Sequence, residues 1–493
     1  MASIEELKAI RLQKLEKLKA SGMNPYPADI LRDYTITELK KNFEEFSKEE
    51  KSISIAGRVM AVRGQGAILF VVLQDGNEKF QTVLKKDELP EEVFNLFVDC
   101  VDIGDFISVT GNLFVTARGE QSVLIKEWMM ATKSLQPLPD KWHGIQDDDE
   151  RFRKRYLEIL MEKEVYDRFV IRSRVVKAIR AFFDDKNFLE VETPILQNQA
   201  GGAMAKVFET HHNDYNIDMV LRIAMELDHK MLTVGGYERI YEIGKNFRNE
   251  GSDPTHIQEF TMMEWYAAYQ TLETNIEWTE ELLKSIASTV VGKTAFTVYG
   301  KEGNATEVHF DGVWPKISFA DLVKENTGID ITTITLEDAR KEAVKWGMDE
   351  KEAQNLGRGN LLDHIYKKSS RGKIINPTFI TDFPGDLKPL AQQNDDGTAK
   401  VAQLVIAGAE ITNQYAELVN PITQRELLVA QAKAKEGGDA EAMDIDERFL
   451  TAMEHGMPPM TGFGMGIDRI VAIFTEQKNL RDTIFFPILK PKE

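Results

Sequence analysis

The chain has 493 residues, 42% of them hydrophobic and 29% charged, and a formal net charge of −19. That length supports two to four domains with a sizeable core, and the acidic balance argues against non-specific binding to nucleic acid while leaving room for a local basic patch. A single cysteine, Cys100, excludes a disulfide framework or a cysteine-built metal cluster and fits a reducing cytoplasm.

The amino-terminal run MASIEELKAIRLQKLEKLKASG lacks the apolar core of a signal peptide, and no stretch is apolar for long enough to cross a bilayer. Its spacing predicts an amphipathic helix with Ile4, Leu7, Leu15 and Leu18 on one face, ended by NPYP at 24–27 and read as packed on the domain that follows, with a dedicated tRNA arm as the alternative. From Ile53 to Met130 the period changes to that of strands. Five short runs (ISIAGRVMAV, AILFVVLQD, EKFQTVL, FISVTGNLFVT, QSVLIKEWMM) are separated by turn signals, with a helical stretch, ELPEEVFNLF, between the third and fourth. Five strands with a helix in that place suggest an oligonucleotide-binding (OB) barrel, although any small barrel gives the same pattern. Phe70 and Gln81 are candidates for stacking on a base and reading its edge. Taken alone, Phe70 reads as core.

The prolines and acidic run of SLQPLPDKWHGIQDDDE, 134–150, mark a linker, and RFRKR at 151–155 reads as a solvated basic face, with a phosphate-contacting patch as the alternative. An amphipathic stretch at 164–187 runs into FLEVETPIL. Beyond it strand-like runs mix with helices at 276–290 and 466–475 without a regular βαβ repeat, which predicts an α+β fold on an antiparallel sheet.

Three constellations in this half carry chemistry. In FRNEGSDPTHIQEFTMMEWY, 247–266, Gly251 to Pro254 break a strand pair, and Arg248 before the break suits a phosphate or carboxylate; an ion pair with Glu250 is the structural alternative. In TGFGMGIDRIVAIF, 461–474, Gly462, Gly464 and Gly466 allow close backbone approach, and Arg469 falls in the first turn of a helix, where it wants an anion. In IAGAEITNQYAELVNP, 406–421, Asn413, Tyr415 and Glu417 would line one face of a strand. With Glu226, Glu264 and Glu410 they make a surplus of acid that, once buried, demands an ammonium or a divalent metal.

Together these stretches resemble the class II lysyl-tRNA synthetases over nearly the whole chain. FLEVETPIL is similar to that class's motif 1 (about 188–197), FRNEGSDPTHIQEF to motif 2 (about 240–266) and GFGMGIDRIVAIF to motif 3 (about 461–474), while GGAMAKVF, NPTFITDFP and PPMTGFGMGIDR fit the lysine branch. The resemblance implies a helical extension at 1–50, an OB anticodon-binding domain at 51–133, a linker at 134–150 and a catalytic domain at 151–493. It implies ligation of L-lysine to tRNA(Lys) through a lysyl-adenylate, with ATP and Mg²⁺, by a cytoplasmic homodimer with no membrane association. Arg248 and Arg469 would be catalytic, and Glu250, His256, Phe260 and Glu410 would join them on ATP. Gly201, Glu226, Glu264, Tyr266, Asn413, Tyr415 and Glu417 would hold lysine, and Phe70, Gln81 and Glu120 the anticodon.

The chain also departs from the family pattern. One Mg²⁺-binding glutamate is replaced by Gln403, leaving Glu410; Ala409 and Gln392 stand where basic residues are usual, Met225 where proline is usual, and Asp228 and His229 at aromatic or apolar positions. A regulatory RNA-binding paralogue would tolerate such changes. A ligase that attaches a lysine-like amino acid to a protein would lack the barrel and carry alanine at Gly464.

Overall fold

The computed structural model describes residues 3–64, 66–139, 145, 147–203, 205–300, 303–436 and 445–492, so part of the 134–150 linker and Met204 of GGAMAKVF lie outside the described residues. The chain divides into two units, Met1–Tyr166 with Pro491–Glu493, and Asp167–Lys490.

In the first unit the strands Ile53–Arg63, Ile68–Asp75, Glu78–Lys85, Gln121–Thr132 and Phe106–Val115 close a barrel in that spatial order. The helix Glu91–Cys100 connects the third and fourth strands in sequence. Alternation sends Leu69, Val71 and Leu73 inward, and Gly111 marks a bulge where any Cβ would collide with Leu124 O. The helix Ile4–Ala20 starts with a capping box between Ser3 and Glu6. Its buried positions are Arg11, Leu15 and Leu18, while Ile4 is exposed, because the Arg11 guanidinium reaches carbonyls of Ile103 (2.9 Å) and Gln136 (3.0 Å). Phe70 is exposed rather than core: the register pairs it with Val83, and Val72 with Gln81, so Phe70 and Gln81 share the barrel's outer face.

The second unit is built on an eight-stranded sheet, an α+β architecture. In spatial order its strands are Lys316–Ser318, Thr378–Pro384, Thr398–Ile406, Ala409–Ala416, Met460–Gly466, Glu259–Ala268, Arg239–Phe247 and Leu189–Glu190. The outermost pair at each edge is parallel and every inner pair antiparallel. One face is apolar. Met263, Trp265, Phe463 and Met465 pack there with Val175, Ile179 and Phe183 of the helix Lys163–Asp185, and with Ile470 and Val471 of the helix Ile467–Phe474. The period of two then turns Glu264, Tyr266, Gly462 and Gly464 to the opposite face, where a cavity opens.

Candidate active site

Two cross-strand rows form the floor of this cavity, whose volume is about 350 Å³. In one row Glu242, Glu264, Gly464, Asn413 and Gln403 are successive partners; in the other, Ile240, Tyr266, Gly462, Tyr415 and Val401. Glycine occupies the middle strand of both rows for different reasons. A Cβ at Gly462 would run into Glu417 Oε1 and the Tyr266 ring, whereas one at Gly464 would meet only Glu264 Cγ at 3.8 Å and would otherwise take space from the cavity.

The acids in and behind this floor are buried and short of positive charge. Lys230 Nζ lies 2.6 Å from both Glu226 Oε1 and Glu417 Oε2, and all three side chains are almost fully enclosed. Glu264 makes no ion pair among the described residues, where its oxygens accept from the Met225 N–H and the Tyr266 hydroxyl, each at 3.3 Å. Burial pushes Glu264 up to about 7 and Glu417 to about 8, and the two flanking carboxylates hold the Lys230 ammonium above its ordinary value against desolvation. Glu417 Oε1 is buried with no donor in reach among the described residues. Among the described residues Glu226 and Glu417 therefore share one ammonium while Glu264 pairs with none, and the surplus of acid favours a cationic guest. Lys230 went unnoticed in the sequence because a lysine on an amphipathic helix reads as solvated.

The opposite wall is cationic. Arg248 continues the ladder past Phe247 through its N–H to Gln258 O (2.8 Å), and its guanidinium lies 5.2 Å from the Phe260 ring centre. It makes no ion pair with Glu250 or any other described carboxylate, which leaves its fork to the cavity; burial pushes its pKa down. Arg469, in the first turn of Ile467–Phe474, donates to the Glu410 carbonyl at 2.8 Å. The neighbouring Asp468 pins that helix by accepting from Thr261 N–H at 2.7 Å and pairing with Arg172 at 2.6 Å. Glu250, Phe260 and His256, the last held by Asp253 at 3.0 Å, complete this wall. Lys388, which sequence reasoning also passed over, lines the cavity too; burial lowers its pKa and Glu410 opposes the shift.

Glu410 reaches the cavity through a bulge. Leu404 pairs with Thr412 but Val405 with Glu410, so Ile411 is extra and Glu410 shares a face with Asn413. On the same face Gln403 Nε2 donates to Asn413 Oδ1 at 3.3 Å, and Asn413 Nδ2 donates to the Tyr415 hydroxyl at 2.6 Å. The amide at 403 thus orients the Asn413–Tyr415 wall. Among the described residues no three His, Cys, Asp or Glu side chains converge as a resident metal centre requires. Glu410 lines the cavity and Gln403 is buried on the same face, a sparse donor set that fits a Mg²⁺ only if phosphate oxygens supply most of its ligands.

Of the residues expected to hold amino acid, Glu226, Glu264, Tyr266, Asn413 and Tyr415 line the cavity, and Glu417 stands behind Gly462. Gly201 does not line it; a Cβ there would collide with Leu227, and its neighbour Gly202, at φ +78°, faces the cavity instead. The unusual residues near Glu226 have partners. His229 Nε2 lies 3.0 Å from Glu242, which also pairs with Arg222 at 2.7 Å; Asp228 pairs with Arg448 at 2.9 Å; and the Met225 N–H serves Glu264 as no proline could. In the barrel unit the Gln81 amide donates to Ser122 Oγ at 2.9 Å, and Glu120 is exposed.

Comparison with known proteins matches residues 147–490 to a family model described as tRNA synthetases class II (D, K and N), and residues 53–131 to an OB-fold nucleic acid binding domain. Relatives named lysine–tRNA ligase include those of Carboxydothermus hydrogenoformans (40% identical, 99% of each chain covered) and Moorella thermoacetica (39%, 99% of this chain and 98% of the relative). That of Lactococcus lactis subsp. lactis is 41% identical over 99% of this chain and all of its own.

Proposed function

The chain belongs to the class II tRNA synthetases of the D, K and N group, and from that premise we propose that it is a lysine–tRNA ligase. It activates L-lysine with ATP to lysyl-adenylate and pyrophosphate, then transfers lysine to the 3′ end of tRNA(Lys). The observation that carries lysine as the substrate is the acid pocket: among the described residues, Glu264 without an ion pair, and Glu417 with a buried orphan oxygen. A neutral amino acid would leave these groups unpaired, and sites built to pair a polar substrate group reject analogues that lack it.

In this reading Glu264, Tyr266 and Glu417 take the ε-ammonium, Asn413 and Tyr415 close the wall, and Glu226 with the Gly202 backbone meets the α-amino group. Phe260 stacks on adenine, Arg469 covers the other face of the nucleotide, and Glu250 and His256 hold it from the loop. Arg248 grips the α-phosphate and the lysine carboxylate together. A carboxylate oxygen then attacks the α-phosphorus, the bond from that phosphorus to the bridging oxygen breaks, and pyrophosphate leaves. The terminal ribose hydroxyl next attacks the acyl carbon and AMP leaves. Both steps rest on in-line positioning and on cations where negative charge grows, and neither requires a protein general base. Glu410, with the Gln403 amide, would hold Mg²⁺, which supplies charge neutralisation on the phosphates.

The outer barrel face with Phe70 and Gln81, and Glu120 nearby, would read a uridine-rich lysine anticodon. A homodimer is supported by motif 1, where Leu189, Ile195 and Leu196 are exposed beside the sheet-edge strand Leu189–Glu190. No helix among the described residues is long and apolar enough to cross a membrane, and a cytoplasmic site matches the substrates. Charging of tRNA(Lys) with radiolabelled lysine tests the function. Acid-precipitable lysyl-tRNA formed only with ATP present is the expected result; tRNA binding without charging would leave the regulatory paralogue.

A further inference from the structure

Among the described residues of the cavity, Lys388 is a cation that the reading above leaves without a task. Lys388 follows the short turn Gly385–Leu387, and its Nζ lies over two rings, 5.3 Å from the centre of Phe383 and 5.6 Å from that of Tyr415. No hydrogen bond or ion pair closes on Nζ among the described residues. The carboxylates whose charge it feels, Glu410 foremost, then Asp363 and Glu226, stand beyond ion-pairing distance, and Lys367 adds repulsion. Aromatic faces attract an ammonium but do not replace its lost hydration, so the group remains a donor in need of an acceptor.

A cationic guest does not meet that need, since an ammonium repels lysine; an anion does. Arg248, Arg469 and Glu410 line the same cavity, so the anion that belongs there is the triphosphate. Gln403 points the same way. An amide in place of a second carboxylate holds metal less firmly, and its Nε2 is committed to Asn413. Positive charge that a metal would bring is thus partly built into the chain.

We infer that the Lys388 ammonium is a direct contact for the nucleotide triphosphate, supplying fixed positive charge on the Glu410 side of the cavity in place of part of the metal's. This deepens the ATP assignment and rests on it. The contact acts on nucleotide binding even when metal is absent, because the charge is covalently part of the chain.

The test is calorimetric titration of the full chain with ATP and, separately, adenosine, in EDTA and again in excess Mg²⁺. The variants are Lys388→Met, which keeps an unbranched stem, and Lys388→Arg, which keeps the charge. In EDTA, Lys388→Met weakens ATP binding by about tenfold or more, the scale of one lost charge-assisted hydrogen bond, while adenosine affinity stays within about twofold. Lys388→Arg retains most of the ATP affinity, and excess Mg²⁺ narrows the gap between Lys388→Met and wild type. Unchanged ATP binding in Lys388→Met, or an equal loss for adenosine, would overturn the inference and leave Lys388 a packing residue. Wild type that binds neither ligand in either condition would instead remove the ATP site on which the inference stands.

Discussion

In the function proposed, Glu417 and Glu264 decide what the pocket accepts, and their proton affinities set when it accepts it. Both have folded pKa values above the ordinary carboxylate value, about 8 and about 7. The stability linked to their protonation is therefore fully present below the unfolded pKa and is lost as pH rises through the folded values. A bound ammonium reverses that loss. Thermal melts at pH 6 and pH 8.5 should show lysine stabilising the protein more at the higher pH, with its dissociation constant falling over the same interval; an interval without change would mean that neither acid faces the ligand. Replacing Glu417 by Gln removes one of the two carboxylate partners of Lys230 and the negative charge at the orphan oxygen at once. The lysine KM should rise about tenfold or more while the ATP KM moves little, in steady-state exchange assays on protein whose melting curve shows it folded. Much of this pocket is legible in the sequence, because Glu226, Glu264 and Glu417 sit in recognisable stretches. Lys230 and Lys388 were not, because what distinguishes them is burial, which a lysine codon does not announce.

Among elements, the strand Ala409–Ala416 shows how far pattern reading extends. Simple alternation correctly puts Asn413 and Tyr415 on one face but would send Glu410 to the other. The extra residue Ile411 turns Glu410 back to the cavity, and a bulge of this kind leaves no mark in an apolar–polar alternation. The barrel strands were readable for the opposite reason: their alternation is strong and their turns are marked by glycine and asparagine. Phe70 misled, since an aromatic in an apolar run reads as core, yet its register sets it outside with Gln81. The proposed role of that outer face makes a separable prediction. Phe70→Ala should lower kcat/KM for tRNA by about tenfold or more, the scale of one stacked base, and leave lysine-dependent exchange unchanged. An equal loss in both assays would place its effect on folding.

At the scale of the molecule, a net charge of −19 works against unspecific RNA binding, so affinity for tRNA must come from chosen surfaces. The catalytic unit concentrates charge of both signs in one cavity, with acids behind the glycine strand and guanidiniums across from them. That polarity matches a zwitterionic amino acid with a cationic side chain set against a polyphosphate. The departures at Gln403, His229 and Asp228 do not dismantle it, for each of those side chains has a partner in the structure. The most direct measurement is ATP–pyrophosphate exchange with a panel of amino acids in excess Mg²⁺. Exchange that depends on lysine and is negligible with arginine or leucine is the expected result. Absence of exchange with lysine, from folded protein that binds ATP, would contradict the proposed function.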